Sequence, residues 1–115
     1  MSGNPEDHID MESLDDLKDI MEDDFQMLLD TFIVDSESKI EEIAGVIADG
    51  DAEALRQVAH SIKGSSGNVC ASALSEVARQ LEAMGKDGDI SGAPEVFEAL
   101  KVEFATTKDI LLNKI

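Results

Sequence analysis

The segment A-H-S-I-K-G-S-S-G, Ala59 to Gly67, sets an imidazole, an ammonium group and two glycines side by side. At about 100° per residue, Leu55, Val58, Ala59, Ile62 and Ser66 share one arc of a helix, and His60 points away from its centre. His60 is therefore expected on the outer face, with Lys63 at i+3, Gly64 at i+4 and Arg56 at i−4 as neighbours and Gly67 one turn beyond. A mid-helix glycine costs about 1 kcal/mol relative to alanine, so Gly64 needs a reason, and access supplies one. A missing side chain lets another protein approach the ring, and Ser65, Ser66 and Gly67 extend the opening. Lys63 disfavours an imidazolium on the same face and can afterwards attract an anion attached to the ring. A nucleophile beside a cation is what phosphoryl transfer asks for.

A second set of groups follows on the next helix, where Ser75, Arg79, Glu82 and Lys86 form one flank of an apolar stripe. If the two helices are antiparallel neighbours, Glu82 can accept a hydrogen bond from the second ring nitrogen of His60 and fix its tautomer, while Arg79 and Lys86 add positive charge. Taken singly, each residue has an ordinary reading. An exposed histidine is most often a surface histidine, Arg56, Lys63, Arg79 and Lys86 fit an outer charged face, Glu82 could be solvated, and Gly64 could mark a close helix crossing. The adjacency of His60, Lys63, Gly64 and the run of small residues favours the chemical reading.

The stretch A-H-S-I-K-G-S-S-G-N-V-C-A, with L-S-E-V-A-R-Q-L-E-A-M-G-K after it, resembles the histidine-containing phosphotransfer (HPt) domains of bacterial phosphorelays. That family's pattern is His-x-x-Lys-Gly and small residues, then a second helix ending in a Leu-Glu or Ile-Gln type step before Gly-Arg/Lys. The resemblance covers about 30 residues closely. It implies that His60 takes the phosphoryl group, that Lys63 interacts with that group and that Gly64 keeps the site open. Glu82 stands where some members carry a glutamine that hydrogen-bonds the imidazole. Arg56, Ser65, Gly67, Arg79 and Lys86 are the expected partner surface. Cys70 departs from the pattern, because a glycine is usual at the turn between the two helices. The resemblance implies a shuttle between the receiver-domain aspartates of a hybrid sensor kinase and a response regulator. It also implies no bound cofactor, with Mg²⁺ supplied by the receiver. No G-x-x-x-x-G-K-[ST] sequence occurs, so a phosphohistidine carrier is expected and not a kinase.

Helices must position these groups. Residues 1–12 are polar and read as a flexible tail that includes a solvated His8, and residues 13–115 read as the domain. Ser13 is the expected cap of a short helix with Leu14, Leu17, Ile20 and Met21 on one side. From Asp23 to about Ala48 the positions Phe25, Leu28, Leu29, Phe32, Ile33, Ser36, Ile40, Ile43, Ala44 and Ile47 keep helical spacing. Asp51 can cap a third helix that ends at Gly67-Asn68, and Ser72 a fourth on Leu74, Val77, Ala78, Leu81, Met84 and Gly85. A last helix starts between Ser91 and Pro94 and carries Phe97, Leu100, Phe104, Lys108 and Leu111. Met21, Met27 and Met84 are expected to fill core or near-core space. The fold class is all-α, an antiparallel up-down four-helix bundle with a short additional N-terminal helix.

The 115 residues hold 26 acidic against 9 basic side chains, a formal charge of −17, which repels nucleic acid and anionic membranes at long range. The apolar runs fall short of the roughly 20 residues a membrane span needs, and the start M-S-G-N-P-E-D-H-I-D lacks the regions of a signal peptide, so a cytoplasmic monomer is expected. Cys70, the single cysteine, has no partner for a disulfide within one chain and is expected to act as a small hydrophobe. A metal-binding bundle would want Glu-x-x-His pairs on facing helices, and none occurs. The competing class is a non-catalytic helical adapter that binds signalling proteins through an outer face.

Overall fold

Apolar side chains that recur every three or four residues bury themselves best on one side of a helix, and the chain is built from helices accordingly. The structure is a computed structural model and describes residues 4–113. Those residues form α1 (Met11–Met21), α2 (Asp24–Asp49), α3 (Ala52–Asn68), α4 (Ser72–Asp87) and α5 (Ala93–Asn113), after a 3-10 turn at Pro5–Asp7, and contain no strand. Helix α2 packs on α3, α3 on α4, α4 on α5, and α5 returns to α2, while α1 leans on α2. Leu29, Phe32 and Ile43 of α2 share the core with Leu55 and Ile62 of α3, Leu74 and Leu81 of α4 and Leu100 of α5. Phe32 and Phe104 meet as a tilted ring pair, centroids 6.2 Å apart, which ties α2 to α5. Nearby, Lys108 of α5 reaches Glu37 of α2 at 2.7 Å.

Two expected core residues face outward for a geometric reason. Ile20 is 77% exposed because the buried side of α1 is set by Leu14, Leu17 and Met21, and Ile20 lies about 90° from the centre of that stripe. Met27 is 69% exposed and stands on the side of α2 opposite Phe25, Leu29 and Phe32. Met21 and Met84 do pack against the core, and Ala44, at the edge of the α2 stripe, is exposed.

The helix starts follow the backbone's need for acceptors. Asp51 caps α3 by accepting from the Ala54 amide at 3.0 Å. At α1 the cap is Asp10 in place of the expected Ser13: its carboxylate accepts from both the amide (3.1 Å) and the hydroxyl (2.9 Å) of Ser13, so the helix begins at Met11. At α4 Ser72 is already helical and Ala71, in the cap position, offers no side-chain acceptor. The acceptor comes from far away in sequence, since the Ala73 amide donates to the His8 carbonyl at 3.2 Å.

That bond corrects the expectation of a mobile tail over residues 4–12; residues 1–3 of that tail, and 114 and 115 of the expected domain, lie outside the described residues. The Asp10 amide donates to the Cys70 carbonyl at 2.8 Å, so residues 8 and 10 are stitched to the α3–α4 turn, and Ile9 between them is fully buried. His8 is not solvated: its Nδ1 lies 2.7 Å from Glu103 Oε2, with side chains 14% and 16% exposed. Polar composition concealed one fully buried isoleucine and the backbone partners on either side of it. Cys70 itself sits at φ 61°, the left-handed conformation that explains why a glycine would be usual there.

If Ile9 anchors this segment, Ile9→Ala should lower the unfolding free energy by about 2–4 kcal/mol in urea titrations. A tail merely resting on the surface would leave the midpoint unchanged.

Candidate functional site

The site lies where α3 and α4 approach most closely. A Cβ on Gly85 would stand 2.6 Å from the Ala52 carbonyl oxygen and 2.6 Å from the Arg56 amide nitrogen, so only glycine lets the two backbones come this near. Along α3 the contacts run Arg56, His60, Lys63, and their partners along α4 run Gly85, Glu82, Ser75, so the pair is antiparallel. Ser75 pins this register by donating its hydroxyl to the Lys63 carbonyl at 3.0 Å. The sequence placed Gly85 in the apolar stripe and Ser75 on the flank without assigning either a task. A glycine among larger apolar residues at i−4 and i−7 was the available signal for a crossing point.

Glu82 then joins the two helices chemically. Its Oε2 lies 2.6 Å from His60 Nδ1 and its Oε1 2.6 Å from Lys63 Nζ. The Lys63 bond, with the His60 bond adding to it, outweighs burial and holds the Glu82 carboxyl below the ordinary carboxylate range. An ionised carboxylate only accepts hydrogen bonds, so Nδ1 is the nitrogen that carries the ring proton and donates. Nε2 keeps its lone pair, on a side chain 64% exposed, while Glu82 is only 17% exposed beneath it. Lys63 does not act on the ring as a bare cation, as its charge alone would suggest, because it is already bound to the same carboxylate.

The remaining expected residues divide by what they touch. Gly64 is open: a Cβ there would meet nothing within 4 Å, and the same holds for Gly67. The close helix crossing belongs to Gly85 and not to Gly64. Arg56 closes onto Glu53 at 2.9 and 2.6 Å, and this bond holds Glu53 down to about 2. Arg79 closes onto Glu76 at 2.9 Å. Both guanidinium groups therefore arrive with their own counter-charges. The Ser65 hydroxyl is committed to the Ile62 carbonyl at 3.2 Å, and Lys86 is exposed in the last turn of α4. Lys63, Gly67 and Arg79 also border a cleft of about 400 Å³ with Asp10, with Ser13 of α1 and with Cys70. Burial, aided by Asp10, pushes the Cys70 thiol up, which suits the expected inert small hydrophobe. No cluster of metal-ligating side chains forms among the described residues.

The two glycines give opposite expectations. Gly85→Ala should destabilise the fold by about 1–3 kcal/mol or more, because backbone atoms must move apart, whereas Gly64→Ala should gain about 0.5–1 kcal/mol from helix propensity. Paired denaturation curves check the contrast.

The Hpt domain family matches residues 27–110, a span that contains His60, Lys63, Gly64 and Glu82. The fold superposes on the crystal structure of histidine-containing phosphotransfer protein B from Pseudomonas aeruginosa PAO1 with a TM-score of 0.90 and 36% identity, covering 93% of each chain. No curated protein matches the sequence. An all-helical chain with this histidine site, matched by the family over most of its length, belongs to the Hpt domain family.

Proposed function

We propose that this protein carries a phosphoryl group on His60 between the receiver-domain aspartates of a hybrid sensor kinase and a response regulator. The observation that carries the reading is the exposed ring whose Nδ1 proton is bound by Glu82, which leaves Nε2 as the nucleophile beside the side-chain-free surface of Gly64. In the forward step the Nε2 lone pair attacks phosphorus in line and the aspartate leaves as a carboxylate. Lys63, 34% exposed on the same face, can release Glu82 and turn to the phosphoryl oxygens. Mg²⁺ belongs to the receiver's acidic site, and the carrier needs no nucleotide of its own.

The architecture suits this work. We read α2 to α5 as an up-down antiparallel bundle with α1 in front, supported by the closed ring of helix contacts, the short connections and the antiparallel α3–α4 register. Arg56, Ser65, Gly67, Arg79 and Lys86 form the docking surface in this reading, with Gly64 and Gly67 open to an approaching partner. No helix among the described residues is long and apolar enough to cross a membrane; that the protein works as a cytoplasmic monomer is part of this proposal.

Incubation with a ³²P-labelled phosphorylated receiver domain and Mg²⁺ should transfer acid-labile, base-stable label to the wild type and none to His60→Gln. Gly64→Leu, folded by circular dichroism, should slow transfer about 10- to 100-fold by holding the donor away. Absence of label across a broad panel of receivers would favour a non-catalytic helical adapter.

A further inference from the structure

Glu82 offers more than an acceptor, because a neutral amide at the same place would hydrogen-bond Nδ1 equally well. We propose that the negative charge of Glu82 keeps the Nδ1 proton on the ring after Nε2 is phosphorylated, so that the phosphoryl group stays transferable into the alkaline range. The inference rests on the reading of His60 as the phosphoryl carrier.

The chemistry starts from the product of transfer. Once the P–Nε2 bond has formed and the P–O bond to the donor aspartate has broken, the ring bears phosphorus on Nε2 and hydrogen on Nδ1 and is a cation. When an acceptor oxygen attacks, the P–Nε2 bond breaks and its electron pair returns to Nε2. A ring that has kept its Nδ1 proton departs as neutral imidazole. A ring that has lost it would have to depart as imidazolate, a far poorer leaving group, which is why phosphohistidine survives base and decays in acid. Transferability therefore follows the fraction of rings holding the Nδ1 proton.

The surrounding charges leave that fraction to Glu82. From α4, Glu82 Oε2 stands 2.6 Å from Nδ1. From α3, Lys63 is the nearest cation and is bound to Glu82 Oε1 at 2.6 Å, and Arg56 is bound to Glu53. Further along α4, Arg79 is bound to Glu76, and Lys86 is exposed in the last turn. Helix α2, packed on the other side of α3, places no charged side chain in ion-pair contact with the ring among the described residues. The phosphoryl charge itself is the same whatever residue stands at position 82. A carboxylate beside a cationic ring holds its proton more firmly by roughly one to three pH units.

The test uses the full chain phosphorylated by phosphoramidate, freed of donor, with loss of label from His60 followed from mildly acidic to strongly alkaline pH for the wild type, Glu82→Gln and Glu82→Asp. Gln keeps an oxygen for the Nδ1–H bond and removes the charge, which holds Lys63 as well as facing the ring. The curves should coincide in acid, and the Gln variant should turn base-stable at least about one pH unit earlier, decaying about tenfold more slowly than wild type in the interval between. Glu82→Asp should move back toward wild type. Ring ¹⁵N NMR of the phosphorylated proteins reads the Nδ1 proton directly, independent of any change in docking or fold stability. Label on His60 with the same NMR midpoint in wild type and Glu82→Gln would overturn this inference and leave the carrier reading standing. Failure of His60 to take label from phosphoramidate or from any receiver would remove both.

Discussion

Two helix backbones can come within touching distance only where a side chain is missing, and α3 meets α4 at Gly85 under that constraint. Glu82 lies one turn from Gly85 and His60 one turn from Arg56, so the approach at Gly85 sets how far the carboxylate stands from the ring. The Ser75 hydroxyl on the Lys63 carbonyl then prevents the helices from sliding. The site is rigid because its members belong to helix surfaces whose spacing is fixed by backbone contact.

Charge is handled locally. The chain is strongly acidic as a whole, yet three of the cations near His60 are paired, Arg56 with Glu53, Lys63 with Glu82 and Arg79 with Glu76, while Lys86 is exposed in the last turn of α4. The two exposed i, i+3 pairs, Arg56–Glu53 and Arg79–Glu76, add little to stability. Their effect is on the field at the ring, since neutralised neighbours leave the one partly buried carboxylate in control. Lys63 is the exception in purpose, because its partner is also the partner of the histidine, and any new anion on the ring competes with Glu82 for it.

The N-terminal segment contributes more than its composition suggests. Ile9 closes the end of the core, while His8 and Asp10 supply the acceptor and the donor that the α3–α4 turn needs on its outer side. Cys70 in that turn adopts the left-handed conformation despite its side chain, at a cost of roughly 1–2 kcal/mol. The backbone bonds gathered there offset that strain. The turn borders the cleft that contains Lys63, so the segment supports the working face from behind.

The sequence by itself determined the helices and the histidine's outward direction, because a 3.6-residue period fixes which side chains share a face. Three helix ends follow closely from Asp51, Gly67-Asn68 and the first turn at Pro94. His60, Lys63 and Gly64 were legible for the same reason, being neighbours on one helix. Glu82 was legible only conditionally, since its meeting with His60 depends on the register between two helices. Periodicity also could not say that Gly85 and not Gly64 would be the crossing, or that Ile9 would be buried within a polar stretch. Those outcomes depend on which surfaces meet and how closely, a property of the packed helices that is not encoded in any single helical repeat; tertiary structure decided them by matching side-chain volume and backbone hydrogen-bonding groups across elements distant in sequence.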